Sequence, residues 1–180
     1  MKIGSVTIKP PLALAPMAGI TDKPYRELVS DLGGCGLVYT EMVSGKGLVY
    51  DNQRTQKLLA IADQGPPVAV QVFGSEAEIL EEAVQVIVRK THPDIIDLNV
   101  GCPAPKVVNN GYGSALMKKP KLLGELVAAM SSAVDKPITV KIRACWDQEH
   151  INAVEVAKIA VANGAQAVGV HGRTRKQFYQ

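Results

Sequence analysis

Cysteine is scarce in the 180-residue chain: Cys35, Cys102 and Cys145 are all it has. An odd number, widely spaced and without a CxxC pair, argues against a disulfide framework or a zinc site and fits a reducing cytoplasm. Long apolar runs are missing as well. No uncharged stretch approaches the roughly 18 residues of a membrane helix, and the run Leu12 to Ala15 is short and bracketed by Pro11 and Pro16. The sequence therefore predicts neither a membrane span nor a secretory signal. Nor is there a strong charge bias, since 20 Lys+Arg against 17 Asp+Glu leave a net charge of +3 with no long basic block. A charge of that size permits an RNA partner without pointing to one. What is present is 47% hydrophobic residues and 21% charged residues of both signs, scattered along the chain. That composition excludes disorder and fits one globular domain, or part of a larger one.

Short β-rich runs alternate with segments of helical period. The runs are Leu12 to Ala15, Gly36 to Thr40, Val68 to Val72, Ile95 to Leu98, Ile138 to Ile142 and Ala167 to Val170. Between them, Ile79, Leu80, Ala83, Val84 and Ile87 form one helical stripe, and Leu122, Leu123, Leu126, Val127 and Met130 a second. Ile151, Val154, Ala157 and Val161 form a third, and Thr21 or Asp22 can cap a helix running to Leu32 before Gly33-Gly34. Strands alternating with helices predict an α/β fold with a parallel sheet.

Five polar residues, Glu41, Gln71, Asn99, Lys141 and His171, close successive runs at separations of 30, 28, 42 and 30 residues. A βα unit takes roughly 30 residues, so these side chains are expected at the carboxyl end of successive strands, where barrels and open sheets bind ligands. Strand ends are often polar simply because the chain is leaving the core. An amide pair, a lysine and a histidine in regular series favour a shared site instead. The longer third step reflects the glycine- and proline-rich loop from Gly101 to Gly113, and long loops at that rim tend to carry function.

Four ordered motifs carry a resemblance. Ala15-Pro16-Met17-Ala18-Gly19-Ile20-Thr21-Asp22, Asn99-Val100-Gly101-Cys102-Pro103, Lys141-Ile142-Arg143 and His171-Gly172-Arg173-Thr174-Arg175, with Gly113-Ser114-Ala115-Leu116 after the loop, are similar to those of the tRNA-dihydrouridine synthases. The bacterial B-type branch is the nearest in pattern. The Asn-x-x-Cys-Pro element alone also resembles dihydroorotate dehydrogenases, and the His-Gly-Arg-Thr-Arg motif separates the two. The resemblance implies a (β/α)8 TIM-type barrel that binds FMN, is reduced by NADPH, and converts specific tRNA uridines to dihydrouridine.

Carried onto matching positions, the resemblance implies that the backbone at Pro16, Met17 and Ala18 lies along the flavin ring. Gln71, Lys141 and His171 hydrogen-bond the ring system or ribityl chain, Asn99 and Arg143 face the uracil, and Cys102 is the catalytic acid. The chemistry explains these residue types. Hydride delivered to C6 of a uracil leaves charge that needs a proton at C5, and a thiol with the ordinary cysteine pKa of about 8.5 is a competent donor near pH 7. A lysine near the flavin stabilises negative charge on the ring. Reaching a uracil in folded tRNA requires extruding the base.

Other residues read more plainly. Cys35 and Cys145 are non-catalytic; Cys145 stands where the family usually has glycine in Lys-x-Arg-x-Gly-Trp, an exchange that a positive-φ turn would resist. His92 and His150 are expected to be solvated or capping, and Lys118, Lys119 and Lys121 a solvated helix start. Glu41 has two readings, orienting a ligand from the rim or pairing with a neighbouring lysine. A full barrel needs eight strands and about 250 residues, against the six strands counted here. The expectation is therefore an N-terminal portion, residues 1–180, truncated after about six strands. The loops expected to hold the FMN phosphate and the C-terminal helical domain would lie outside it. Bare sheet edges then predict self-association and weak FMN binding. The alternatives are a flavin barrel acting on a free pyrimidine, and a non-catalytic self-associating or RNA-binding remnant.

Overall fold

Apolar period and the placement of proline and glycine set the element boundaries. The computed structural model describes residues 1–61 and 64–178. The chain opens with a hairpin absent from the sequence reading, β1 (Lys2–Ile3) and β2 (Val6–Thr7), turned through Gly4 at φ +56°. Then follow β3 (Ala13–Leu14), α1 (Lys23–Leu32), β4 (Leu37–Tyr39), β5 (Val43–Ser44), α2 (Gly45–Val49), α3 (Gln53–Lys57) and β6 (Val68–Phe73). The second half holds α4 (Ala77–Thr91), β7 (Ile95–Val100), α5 (Pro105–Val108), a 3-10 helix (Gly113–Lys118), α6 (Pro120–Ala133), β8 (Ile138–Cys145), α7 (Ala153–Ala162) and β9 (Ala167–Thr174).

The main sheet is parallel, in the order β3-β4-β6-β7-β8-β9, with β5 also pairing β6. Each strand lies beside the next in sequence, as in a barrel wall; a doubly wound sheet reverses its order at a switch point. The sheet is a half-barrel, as the truncated TIM-type reading expected. β4 and β5 are two pieces of one strand position, parted at Thr40 to Met42, and both pair with β6 in parallel.

Side chains alternate along each strand, and the two faces differ sharply in polarity. Val70, Val72, Ile96, Leu98, Val100, Ile138, Val140 and Ile142 pack with Leu80, Val84 and Ile87 of α4, Leu123, Leu126 and Val127 of α6, and Val156 and Ala160 of α7. The opposite face carries Tyr39, Gln71, Asp97, Asn99, Thr139, Lys141, Arg143 and His171. At its lower end Leu37, Ala69 and Ile95 are covered by Ile3 and Ile8 from the hairpin and the residue after it. The N-terminal hairpin thus closes the floor of the half-barrel. Gly36 is required there, because a Cβ would stand 2.0 Å from the Pro10 carbonyl oxygen.

Of the two proposed caps for α1, Asp22 takes the role: its carboxylate accepts from the Tyr25 N–H at 3.0 Å, and Gly33 ends the helix at φ +74°. His92 caps α4 in the left-handed region at φ 48°. Two sequence expectations need correction. β8 and β9 run on to Cys145 and Thr174, so Lys141 and His171 lie within their strands. In α7 the expected stripe of Ile151, Val154, Ala157 and Val161 is not the buried one. Ile151 precedes the helix and is exposed, as are Val154 and Val161, while Val156 and Ala160 face the sheet. The helix is apolar nearly all round, so periodicity alone could not choose its buried side.

Candidate active site

Register explains why residues far apart in sequence converge. Gln71 pairs with Asp97, Asn99 with Lys141, and Arg143 with His171, all on the face turned from the helices. Above them lies a cavity of about 640 Å3, within the usual range for a small-molecule site. Its lining includes Pro16, Met17, Ala18, Gln71, Asn99, Cys102, Lys141, Arg143 and His171, together with Ala15, Met42 and Phe178. Every residue given a catalytic, cofactor or substrate role from the sequence therefore borders one space, while Glu41 of the rim series is not among its lining.

Beneath the cavity runs a buried chain of hydrogen bonds. Thr139 Oγ1 donates to Asp97 Oδ1 at 2.5 Å, and Gln71 Nε2 donates to Asp97 Oδ2 at 2.7 Å. Asn99 Nδ2 donates to Gln71 Oε1 at 2.8 Å. Asn99 Oδ1 accepts from the backbone N–H of Cys102 at 3.0 Å and of Gly101 at 3.3 Å. Each primary amide carries two N–H donors, so Gln71 and Asn99, both on the cavity lining, each have one beyond those used in the chain.

Cys102 is seated from the other side by the 3-10 helix. Its carbonyl accepts from the Ser114 N–H at 3.0 Å and from Ser114 Oγ at 2.9 Å. Gly113, at φ +59°, lets the two segments close: a Cβ there would meet the Cys102 oxygen at 2.8 Å.

The cavity is electropositive. Burial pushes the Lys141 ammonium below its ordinary pKa, with Asp97 opposing and Arg143 adding to the shift. Burial and then the charges of Arg143, Lys141 and Arg173 hold the His171 imidazole below its ordinary value, favouring its neutral form. Burial raises Asp97 to about 6, against the hydrogen bonds from Gln71 and Thr139 and the charge of Lys141. Arg143 also ties the rim together, its Nε donating to the Gly101 carbonyl at 2.7 Å and its Nη1 to the Thr174 carbonyl at 3.0 Å.

The Pro16 to Ala18 wall is held by contacts the sequence reading missed. Thr21, fully buried, accepts from the Met17 N–H at 3.0 Å and donates back to the Met17 carbonyl at 3.1 Å. Arg26 donates to the carbonyls of Thr21 and Ala60. Glu41, left between two roles above, accepts from the Gly19 N–H and so holds this same loop. Asp97 and Thr139 were missed too. The available signal was an aspartate on the face shared with Asn99, inside the otherwise apolar run Ile95-Ile96-Asp97-Leu98.

The remaining singled-out residues sit apart from the amide chain. Cys145 is fully buried in extended strand and donates to the Asp147 carbonyl at 2.7 Å, so the conformation that would resist replacing glycine does not arise. Lys118 stacks on the Trp146 ring at 4.0 Å, with Arg175 also over that ring at 4.8 Å, and His150 pairs with Asp147 at 2.6 Å. Cys35 is half-buried and donates to the Leu37 carbonyl at 3.0 Å. Among the described residues no helix is long and apolar enough to cross a membrane.

Comparison with known proteins follows the same lines. The profile described as Dihydrouridine synthase (Dus) matches residues 13–180. The tRNA-dihydrouridine synthase B of Pseudomonas syringae pv. tomato is 42% identical over 179 residues, covering 99% of this chain and 52% of the relative. The protein of that name from Pseudomonas putida is 44% identical over 180 residues, with 99% and 52% covered. A probable tRNA-dihydrouridine synthase of Rhodobacter capsulatus is 44% identical over 180 residues, with 99% and 55% covered. The chain spans about half the length of the curated relatives it matches.

Proposed function

The chain belongs to the dihydrouridine synthase family, and from that premise we propose that it is the N-terminal part of an FMN-dependent enzyme reducing uridines of tRNA to dihydrouridine. The observation that carries the reading is the convergence of an amide, a thiol, an ammonium group and an imidazole, from Asn99, Cys102, Lys141 and His171, on one cavity. The cavity suits a flavin on two further grounds. Ala15, Pro16 and Ala18 offer small side chains along one wall, and Lys141, Arg143 and His171 offer positive charge and hydrogen-bond donors along another. Coverage of about half of each relative supports placing the remaining barrel units and a helical domain outside residues 1–180.

When bound and reduced by NADPH, FMN supplies hydride for C6 of the uracil. This chain's residues then have distinct tasks. The backbone at Pro16, Met17 and Ala18 lies against the flat cofactor. Gln71 and Lys141 hold its polar edge, and the positive charge of Lys141 favours negative charge there. His171, neutral at pH 7, donates or accepts a hydrogen bond without adding charge. Asn99 and Arg143 face the extruded uracil, the amide reading its polar edge. Cys102 gives its thiol proton to C5, completing the addition across the C5–C6 bond.

Such an enzyme works in the cytoplasm, where its tRNA and NADPH are. The exposed Val170 on the outermost strand, with Val154 and Val161 of α7, supports self-association of the 180-residue chain. The function is tested with Cys102→Ala in the whole protein. NADPH is expected to bleach the bound flavin as before, while dihydrouridine formation on unmodified tRNA is lost. Unchanged turnover would remove Cys102 from its role, and absence of flavin from the purified whole protein would overturn the reading altogether.

A further inference from the structure

The buried chain under the cavity has a direction. One end is a pair of backbone N–H groups, at Gly101 and Cys102, that can only donate; the other is the Asp97 carboxylate, which when ionised can only accept. Between two such ends the amides of Gln71 and Asn99 have one consistent orientation, each donating toward Asp97 and accepting from the side of Cys102. Flipping either amide would set N–H against N–H or oxygen against oxygen. Both residues are almost wholly buried, Gln71 at 1% and Asn99 at 8% exposure, which leaves little access for water to repair the mismatch.

We propose that Asp97 is a positioning residue: by accepting from Gln71 it fixes, through Asn99, the backbone of Cys102 and the way both amides meet the cavity. Asp97 itself is not among the residues lining the cavity; its partners are Gln71 and Thr139 on the neighbouring strands, and Lys141 is the cation whose charge acts on it. It acts at a distance of two side chains. The remaining N–H of Gln71 and that of Asn99 are left aimed by this arrangement, and the thiol of Cys102 is carried on the peptide that Asn99 holds. The catalytic consequence rests on reading Cys102 as the proton donor; the relay itself does not.

Two variants test it by different means from turnover. Asp97→Leu removes the acceptor, whereas Asp97→Asn keeps an amide oxygen for Gln71 and turns its own N–H toward the Thr139 hydroxyl. The readout is iodoacetamide alkylation of the whole protein, followed peptide by peptide, with the Cys35 peptide as internal reference. A buried hydrogen bond to a charged group stabilises by roughly 1.5–3 kcal/mol, and part of that reaching the Cys102 peptide is expected to change the Cys102 rate relative to Cys35 by about tenfold in Asp97→Leu. In Asp97→Asn it is expected to stay within about threefold. An unchanged Asp97→Leu variant, or an Asp97→Asn variant that changes as much, would overturn the proposal.

Should Asp97→Leu fail to fold, 15N-cysteine-labelled protein gives the second reading. The groups facing Asp97 are Tyr39 from β4, Gln71 from β6, and Thr139 and Lys141 from β8. As Asp97 titrates, the Cys102 amide resonance is expected to move with it, and that movement is expected to vanish in Asp97→Asn. A Cys102 amide that does not respond, or that responds equally in Asp97→Asn, would overturn the relay. Loss of activity in Cys102→Ala bears only on the proton donor, so the two failures are told apart.

Discussion

Replacing Asp97 by asparagine is expected to stabilise the protein, and to do so more the higher the pH. Burial lifts the Asp97 carboxyl from 3.8 to about 6. The folded chain therefore keeps a proton that the unfolded chain has already lost, and the associated stability, complete below about pH 4, disappears as pH rises through about 6. A difference of about 2 units corresponds to about 3 kcal/mol in all, of which roughly 1.4 kcal/mol falls between about pH 5 and about pH 8. Asparagine has no such loss, and its amide can still pair with both Gln71 and Thr139. For a chain of this size the advantage of Asp97→Asn in Tm is expected to widen by roughly 3–6 °C from the lower pH to the higher. Thermal unfolding of both proteins across that range, followed by circular dichroism, reads it directly. A Tm difference that stays flat, or narrows toward high pH, would refute the argument that burial dominates at this carboxyl.

Two other substitutions probe the seat of Cys102 and the open flank of the sheet. Gly113→Ala forces a Cβ to within 2.8 Å of the Cys102 carbonyl oxygen at φ +59°; a loss of at least roughly 1–2 kcal/mol is expected in urea unfolding, together with slower dihydrouridine formation in the whole protein, and wild-type values for both would show that the contact is not needed. Val170, 57% exposed on β9, is expected to contribute to self-association of the 180-residue chain, so Val170→Lys should shift its gel-filtration peak toward smaller species; an unmoved peak would clear that edge of the role.

The parallel α/β architecture was legible because strand runs and helical stripes differ in period, and because Pro, Gly and Asp mark most boundaries. Asn99, Lys141 and His171 could be brought together from spacing alone, since βα units repeat at a near-constant length, although the last two lie inside their strands and not at the rim. Strand ends were read too short in β8 and β9, where Arg143 and Arg173 look like the chain leaving the core yet lie in the sheet. The α7 stripe was misread because Val154 and Val161 are as apolar as the residues that pack. Roles for Asp97, Thr21 and Glu41 were not legible at all: each works through a partner distant in sequence or through backbone groups, and neither leaves a pattern in side-chain order. Hairpin β1–β2 was missed because two-residue strands offer no period to count.

That hairpin has a reach beyond its size. Ile3 and Ile8 lie over Ile95, which shares a strand face with Asp97 two residues further on. Shortening the chain by its first eight residues would let solvent well up from beneath, wetting a carboxyl that now sits dry. Its acidity would drift back toward that of a free aspartate, so a stopper at the bottom of the molecule helps to tune chemistry at the top.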